Sequence, residues 1–122
     1  VAVANLNLVT SEGEEALQSA RAIGWRSGEA VALTALAYSL AARGDYGRAL
    51  DAARRACEIA EEIEHREWLI RARAALAAIA ERVAAGVADA VGASGVSVAE
   101  VRVRVRKPLA LNVELIGKPS GG

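Results

Sequence analysis

The chain contains no phenylalanine or methionine, and only its two tryptophans and two tyrosines are aromatic. Alanine is the most abundant residue, with 29 copies among 122 residues. Each buried alanine contributes little hydrophobic free energy, so a core made of alanine needs many close helix contacts to offset the chain entropy. A chain of this length fits one domain that buries about two-thirds of its unfolded surface.

The chain also has only one cysteine and no formal net charge. The one cysteine, Cys57, excludes an intrachain disulfide and a multi-cysteine metal site, and we expect a small core residue there. His65 is the only histidine, so no metal site is predicted around it. With 15 basic and 15 acidic residues, the formal charge is zero, and no overall field attracts nucleic acid. No cofactor is expected.

Long apolar runs are also missing. No uncharged apolar stretch reaches the length of about 18 residues that a membrane-spanning helix needs, so no membrane partner is predicted. A cytoplasmic location is the default expectation. Because the chain opens on Val1 and not on methionine, we expect a processed, excised or truncated product.

Apolar residues recur at helical spacing through most of the chain. The predicted helices cover residues 13–24, 29–43, about 46–64 and about 67–91. Asp45 is well placed as the N-cap of the third of these, because its carboxylate can accept from unpaired amides of the first turn. Residues 1–9 fit either a strand or the end of a truncated helix. Gly86 is expected to bend the last helix or end it early.

The end of the chain alternates between valine and arginine instead. Val101, Val103 and Val105 point to one side of a predicted strand. We predict two strands, over about 99–106 and 110–116, after a loop at 92–97. The predicted organisation is a helical region, a β segment that packs on it and a flexible tail, over residues 1–92, 93–117 and 118–122.

A shift of 40 residues superposes helical positions of the same type. The matched pairs are Ala20 with Ala60, Ile23 with Ile63, Ala32 with Ala72, and Leu36 with Leu76. Residues 3–80, and most clearly 29–64, resemble a tetratricopeptide repeat of the long-spaced kind found in bacterial regulators. The resemblance rests on the turn "RGDYGRAL" and on Leu33, Leu36, Ala37, Leu40, Ala49, Ala53 and Ala56. Two departures are that no proline ends the second helix and that the first unit looks shortened between Gly13 and Ser27.

This resemblance implies a mainly α fold of antiparallel helical hairpins that binds a protein or peptide and has no catalytic role. In such repeats the outward positions of each first helix line a concave surface. Here those positions are Val31, Thr34, Tyr38 and Arg71. Trp25 and Trp68 lie near helix junctions, where they cover the ends of the hairpins or act as binding anchors.

The valine face of the C-terminal strand can be interpreted in two ways if the fold consists of helical hairpins. It covers an exposed helix of the same chain, or it pairs with the same strand of a second molecule to give a homodimer. The self-association residues would then be Val101, Val103 and Val105.

A second resemblance covers residues 77–111. "AERVAAGVADAV" and "VAEVRVRVRKPLA" are similar to the C-terminal helix and strand of dihydroneopterin aldolases. That family implies an α+β fold and an acid–base role for the lysine before the proline, here Lys107, with Tyr46 matching a tyrosine that follows an aspartate. The family's N-terminal strand and histidine–glycine loop have no counterpart in this chain.

A third interpretation concerns Arg102, Arg104 and Arg106, which share the strand face opposite the valines. They could bind phosphate or nucleic acid, although no aromatic residue stands nearby to stack on bases. Alternatively they keep an exposed strand face soluble and discourage edge pairing.

Overall fold

The computed structural model describes residues 3–95, 98–106 and 110–117, with side chains for 8–95 and 114–117. The helices are α1 (Val3–Ala22), α2 (Arg26–Ala42), α3 (Tyr46–Glu62) and α4 (Arg66–Ser94), and the strands are β1 (Val98–Arg106) and β2 (Ala110–Gly117). The predicted mainly helical class is confirmed. The aldolase-like alternative required a strand and a loop near the N-terminus, and α1 and α2 occupy that stretch instead.

Three local predictions are corrected at the helix boundaries. The helix α1 begins at Val3, so residues 3–9 are helical, which was one of the two alternatives, and the first unit is not shortened. The helix α4 extends through residues 92–94, which were predicted as loop, and Gly86 does not end it. The alanines around Gly86 are strong helix formers, and they offset the cost of about 1 kcal/mol for one glycine.

The chain divides into two compact units, Val1–Ile79 and Ala80–Gly122, and the division falls inside α4. In the second unit, β1 and β2 run antiparallel. Val101 is opposite Leu115, Val103 is opposite Val113, and Val105 is opposite Leu111. The packing of residues 93–117 on the helical region stays a prediction, and residues 118–122 lie outside the described part of the chain.

The three turns between the helices share one backbone geometry. Each contains a residue with positive φ, and these residues, Gly24, Gly44 and Glu64, are spaced 20 apart, with φ of 71°, 82° and 55°. After each, a backbone N–H donates back to a helix carbonyl at 2.9 Å: Trp25 to Ala20, Asp45 to Leu40, and His65 to Ala60. This Schellman-type closure satisfies helix-end carbonyls. The 40-residue repeat therefore consists of two 20-residue steps.

The third turn predicts a stabilising substitution. Glu64 is exposed and adopts a left-handed conformation, which is adopted by a glycine in each of the other two turns. Glu64→Gly is expected to raise the free energy of unfolding by about 1 kcal/mol, because glycine has no Cβ to clash there. Urea denaturation measures the change. The matched control, Gly44→Ala, should lower stability by a similar amount, since a Cβ at Gly44 meets no other atom and only backbone strain remains.

Small residues dominate the buried faces of α2 and α3, which pack against each other. Ala37, Ala49, Ala53 and Ala56 have no exposed surface at all. The close approach allows larger residues beside them, such as Leu40 and Ile59, to become completely buried. The core of the first unit is thus made by nested helices with short side chains, and none of the chain's tryptophans or tyrosines is fully buried in it.

Ion pairs connect the helix ends around the first turn. The carboxylate of Glu29, which is buried, lies 3.8 Å from Arg21 of α1 and 3.5 Å from Arg26 at the start of α2. Arg26 also pairs with Glu62 at the end of α3. Two guanidinium groups compensate the buried negative charge, and this cluster joins three helices in the same place.

Candidate functional site

The helices α2 and α4 form a groove of about 340 Å³ in the first unit. Its lining consists of Val31, Thr34, Ala35, Tyr38, Trp68, Arg71 and Ala74. Residues three and four apart lie on one face of a helix, so each helix contributes side chains from a single face to the lining. The four residues predicted as partner contacts, Val31, Thr34, Tyr38 and Arg71, are all in this lining. Their role in binding stays a prediction.

The shape of the groove follows from the sizes of its side chains. Tyr38 is 48% exposed and Val31 is 36% exposed, so both present apolar surface to solvent. Thr34 is buried, and its hydroxyl donates to the Ala30 carbonyl at 2.8 Å. The larger side chains stand beside the short exposed ones of Ala35 and Ala74. The result is a mainly apolar depression with room for an inserted side chain.

Arg71 and Trp68 form a stacked pair in the groove. The guanidinium carbon of Arg71 lies 5.0 Å from the centroid of the Trp68 indole, within the range of a cation–π contact. Arg71 Nη2 also donates to Glu67 Oε1 at 2.8 Å. Of the two tryptophans, Trp68 therefore belongs to the groove. Trp25 is outside it, and its ring covers Gly28 so closely that an added Cβ would lie 2.3 Å from it.

The sequence prediction missed Ala35 and Ala74 as parts of this site, and it named Trp68 only as a possible binding anchor beside Trp25. Ala35 follows Val31 by four residues, while Trp68 and Ala74 stand three residues on either side of Arg71. Helical spacing therefore places them on the same helix faces as the predicted residues, but it does not show that these two faces meet in a groove. An alanine has no chemical signature of its own, and this is why the pattern was overlooked.

The other candidate sites are not assembled by the described residues. Tyr46 is half-buried at the start of α3 and is not part of the groove. Lys107 lies outside the described residues, so a catalytic pair with Tyr46 stays untested. For Arg102, Arg104 and Arg106 the backbone is described, as part of β1, but the side chains are not.

His65 has a structural role at the start of α4. Its Nδ1 accepts a hydrogen bond from the backbone N–H of Trp68 at 3.4 Å, as a helix N-cap does. Asp45 caps α3 in the same manner, as predicted, by accepting from the Arg48 amide. Within the ranges that the structure describes, no three histidine, cysteine, aspartate or glutamate residues are grouped to hold a metal ion. None of the helices described there has the length and apolar character to cross a membrane.

Cys57 is a core residue, as predicted, with 1% of its surface exposed. Burial raises the pKa of its thiol, although the positive charge of Arg73 acts in the opposite direction. A higher pKa leaves less thiolate near neutral pH, and the thiolate is the reactive form.

The thiol of Cys57 should therefore react slowly in the folded protein. At about pH 8, we expect Ellman's reagent to modify the native chain about a hundredfold or more slowly than the urea-unfolded chain, because reaction requires local opening. Absorbance of the released thiolate measures both rates. Equal rates in the two states would show that Cys57 is accessible.

A second cleft lies on another face of the first unit, where α1 meets α2 and α3. It has a volume of about 680 Å³ and contains Glu14, Leu17, Leu36 and Arg48 among its lining residues. Arg48 Nη2 donates to Glu14 Oε1 at 3.0 Å across this cleft. The pair is about half exposed and links α1 to α3.

Comparisons of the chain with protein-family models, with curated proteins and with solved structures found no match. The packed helices are compatible with helical hairpin repeats, but neither the tetratricopeptide resemblance nor the aldolase resemblance receives support from a relative. The groove is therefore the feature of the described residues on which a function can rest.

Proposed function

We propose that the protein is a small interaction module whose α2–α4 groove binds a peptide or one face of a partner helix. The observation that carries this proposal is the convergence of Val31, Tyr38, Trp68 and Arg71 around two exposed alanines. Tyrosine, tryptophan and arginine are the residue types that dominate binding energy at protein interfaces. Apolar grooves between helices commonly accept a short segment in this manner.

The size of the groove limits what enters it. A volume of about 340 Å³ is near the lower end of ligand sites. A complete helix about 10 Å across does not fit inside, but one or two of its side chains do. The partner segment therefore lies across the groove and inserts aliphatic side chains beside Ala35 and Ala74.

Filling the groove tests this proposal. A phage-displayed library of random dodecapeptides is selected on the wild-type chain, and the enriched peptides are then titrated against Ala74→Leu and Ala77→Leu. Both alanines are exposed on α4, but only Ala74 lines the groove. We expect wild-type affinity with Ala77→Leu and at least about tenfold weaker binding with Ala74→Leu, because the added side chain occupies the space of the ligand.

Two results would contradict the proposal. One is equal binding of the peptides to both leucine variants, which would place their site elsewhere. The other is a selection that enriches no peptide, in which case a small molecule becomes the alternative ligand for a groove of this volume.

A second proposal concerns the C-terminal strands. Pairing of β1 with β2 leaves one outer edge on each strand of this two-stranded sheet. A two-stranded sheet is marginally stable alone, and an open edge is a template for another strand. These points support self-association through the strand that contains Val101, Val103 and Val105. Light scattering on a size-exclusion column should give two chains per particle, whereas one chain per particle would contradict it.

A further inference from the structure

Arg71 carries the only charge among the described residues that line the α2–α4 groove. Two contacts hold its side chain, the stacking on Trp68 at 5.0 Å and the bond to Glu67 at 2.8 Å. Despite these contacts, the side chain is 57% exposed. A guanidinium group has five N–H donors in a rigid plane, and the bond to Glu67 uses one of them. Arg71 is thus an oriented donor whose other N–H groups are available to a ligand.

Resting on the proposed function, we infer that the partner segment is acidic as well as apolar, and that Arg71 binds its carboxylate while aliphatic side chains enter beside Ala35 and Ala74. The two restraints on Arg71 reduce the rotamer entropy that binding has to remove. A carboxylate matches the planar donor fork of arginine with two parallel hydrogen bonds.

The neighbouring charges favour a carboxylate over a phosphorylated side chain. Phosphate recognition normally uses a cluster of arginines, and the described lining has one. Glu67 already contacts Arg71, and its negative charge repels a dianion more strongly than a monoanion. A single carboxylate is the anion that this pair accommodates.

The test compares peptide selections on three baits. The first is the wild-type chain, and the second is R71Q, which removes the charge. The third is the double variant E67R/R71E, which keeps an ion pair across one helical turn and reverses the charge at position 71. The wild type should enrich peptides with aspartate or glutamate next to aliphatic residues. R71Q should lose the acidic preference, and E67R/R71E should select lysine or arginine. This inversion is a readout that a merely structural role of Arg71 would not produce.

Two display formats distinguish the source of the carboxylate. A library fused at its C-terminal end offers only side-chain carboxylates, whereas a library with free C-termini also offers the terminal one. Enrichment of acidic residues in the first format assigns the contact to aspartate or glutamate. Enrichment in the second format alone, without acidic residues, assigns it to the chain terminus. The first result supports the inference, whereas the second contradicts it, because the inferred partner segment is acidic in its side chains.

The affinities complete the test. A selected peptide is expected to bind R71Q about fivefold more weakly than the wild type, as suits an exposed ion pair. Suppose that the peptides selected on the wild-type chain are not enriched in acidic residues and bind R71Q as tightly as the wild type. This result would overturn the inference about Arg71, but it would leave the proposed binding in the groove intact. If no library yields a binder on any bait, both the inference and the proposed function fail.

Discussion

Replacing Ala53 by leucine is expected to lower the free energy of unfolding by about 3 kcal/mol. Ala53 has no exposed surface and belongs to the buried face of α3, the helix that packs against α2. Leucine adds three carbon atoms to a contact that has no space for them, so the helices must move apart. The other buried alanines of the contact, such as Ala49 and Ala56, would then lose packing as well.

Chemical denaturation followed by circular dichroism measures this effect. The matched control is Ala16→Leu, because Ala16 is an exposed alanine within α1 and its replacement should change stability by less than about 0.5 kcal/mol. A fully stable Ala53→Leu protein would show that the helices are not held together by small side chains.

Truncating Ile59 to alanine should cost about 3 kcal/mol of stability as well, but for the opposite reason. Ile59 is one of the largest completely buried side chains in the described part of the chain. Its removal leaves a cavity that the surrounding alanines cannot fill, because their side chains have no rotamers with which to rearrange. A core with few large residues depends strongly on each one.

Ile70 provides the comparison for this second experiment. It is the same residue type within a helix, but 62% of its surface is exposed. Ile70→Ala should therefore change the unfolding free energy by less than about 0.5 kcal/mol. Thermal and urea unfolding of both variants give the difference. Similar losses at the two positions would mean that Ile59 is not a core residue.

The helices and turns were predictable because their causes are local. Asp45 caps α3, as its position predicted, and Gly44 ends α2 through a conformation that glycine adopts without strain. The turn at Glu64 is harder to predict, since glutamate disfavours the left-handed region. Backbone hydrogen bonds from Glu64 to Glu61 and from His65 to Ala60 close that turn in the same way as its counterparts.

Equivalent repeat positions do not always have equal burial. Leu36 and Leu76 match under the 40-residue shift, and both are 6% exposed. Ala37 and Ala77 match in the same way, but Ala37 is completely buried whereas Ala77 is exposed. Sequence periodicity identifies the phase of a helix, but it does not reveal which of its faces has a neighbour.

The amino-acid order alone was enough to identify the helical class, the two turns at Gly24 and Gly44, and four residues of the groove, because each depends on spacing within a helix or on one capping residue. The folded chain was needed to show that α2 and α4 share a groove, that Trp68 and two alanines complete it, and that Arg71 is stacked and paired there. The two contacts of Arg71 lie within one turn of α4, whereas the groove itself joins segments 30 or more residues apart in the chain. The meeting of such distant segments is made by three-dimensional packing, and no local pattern encodes it.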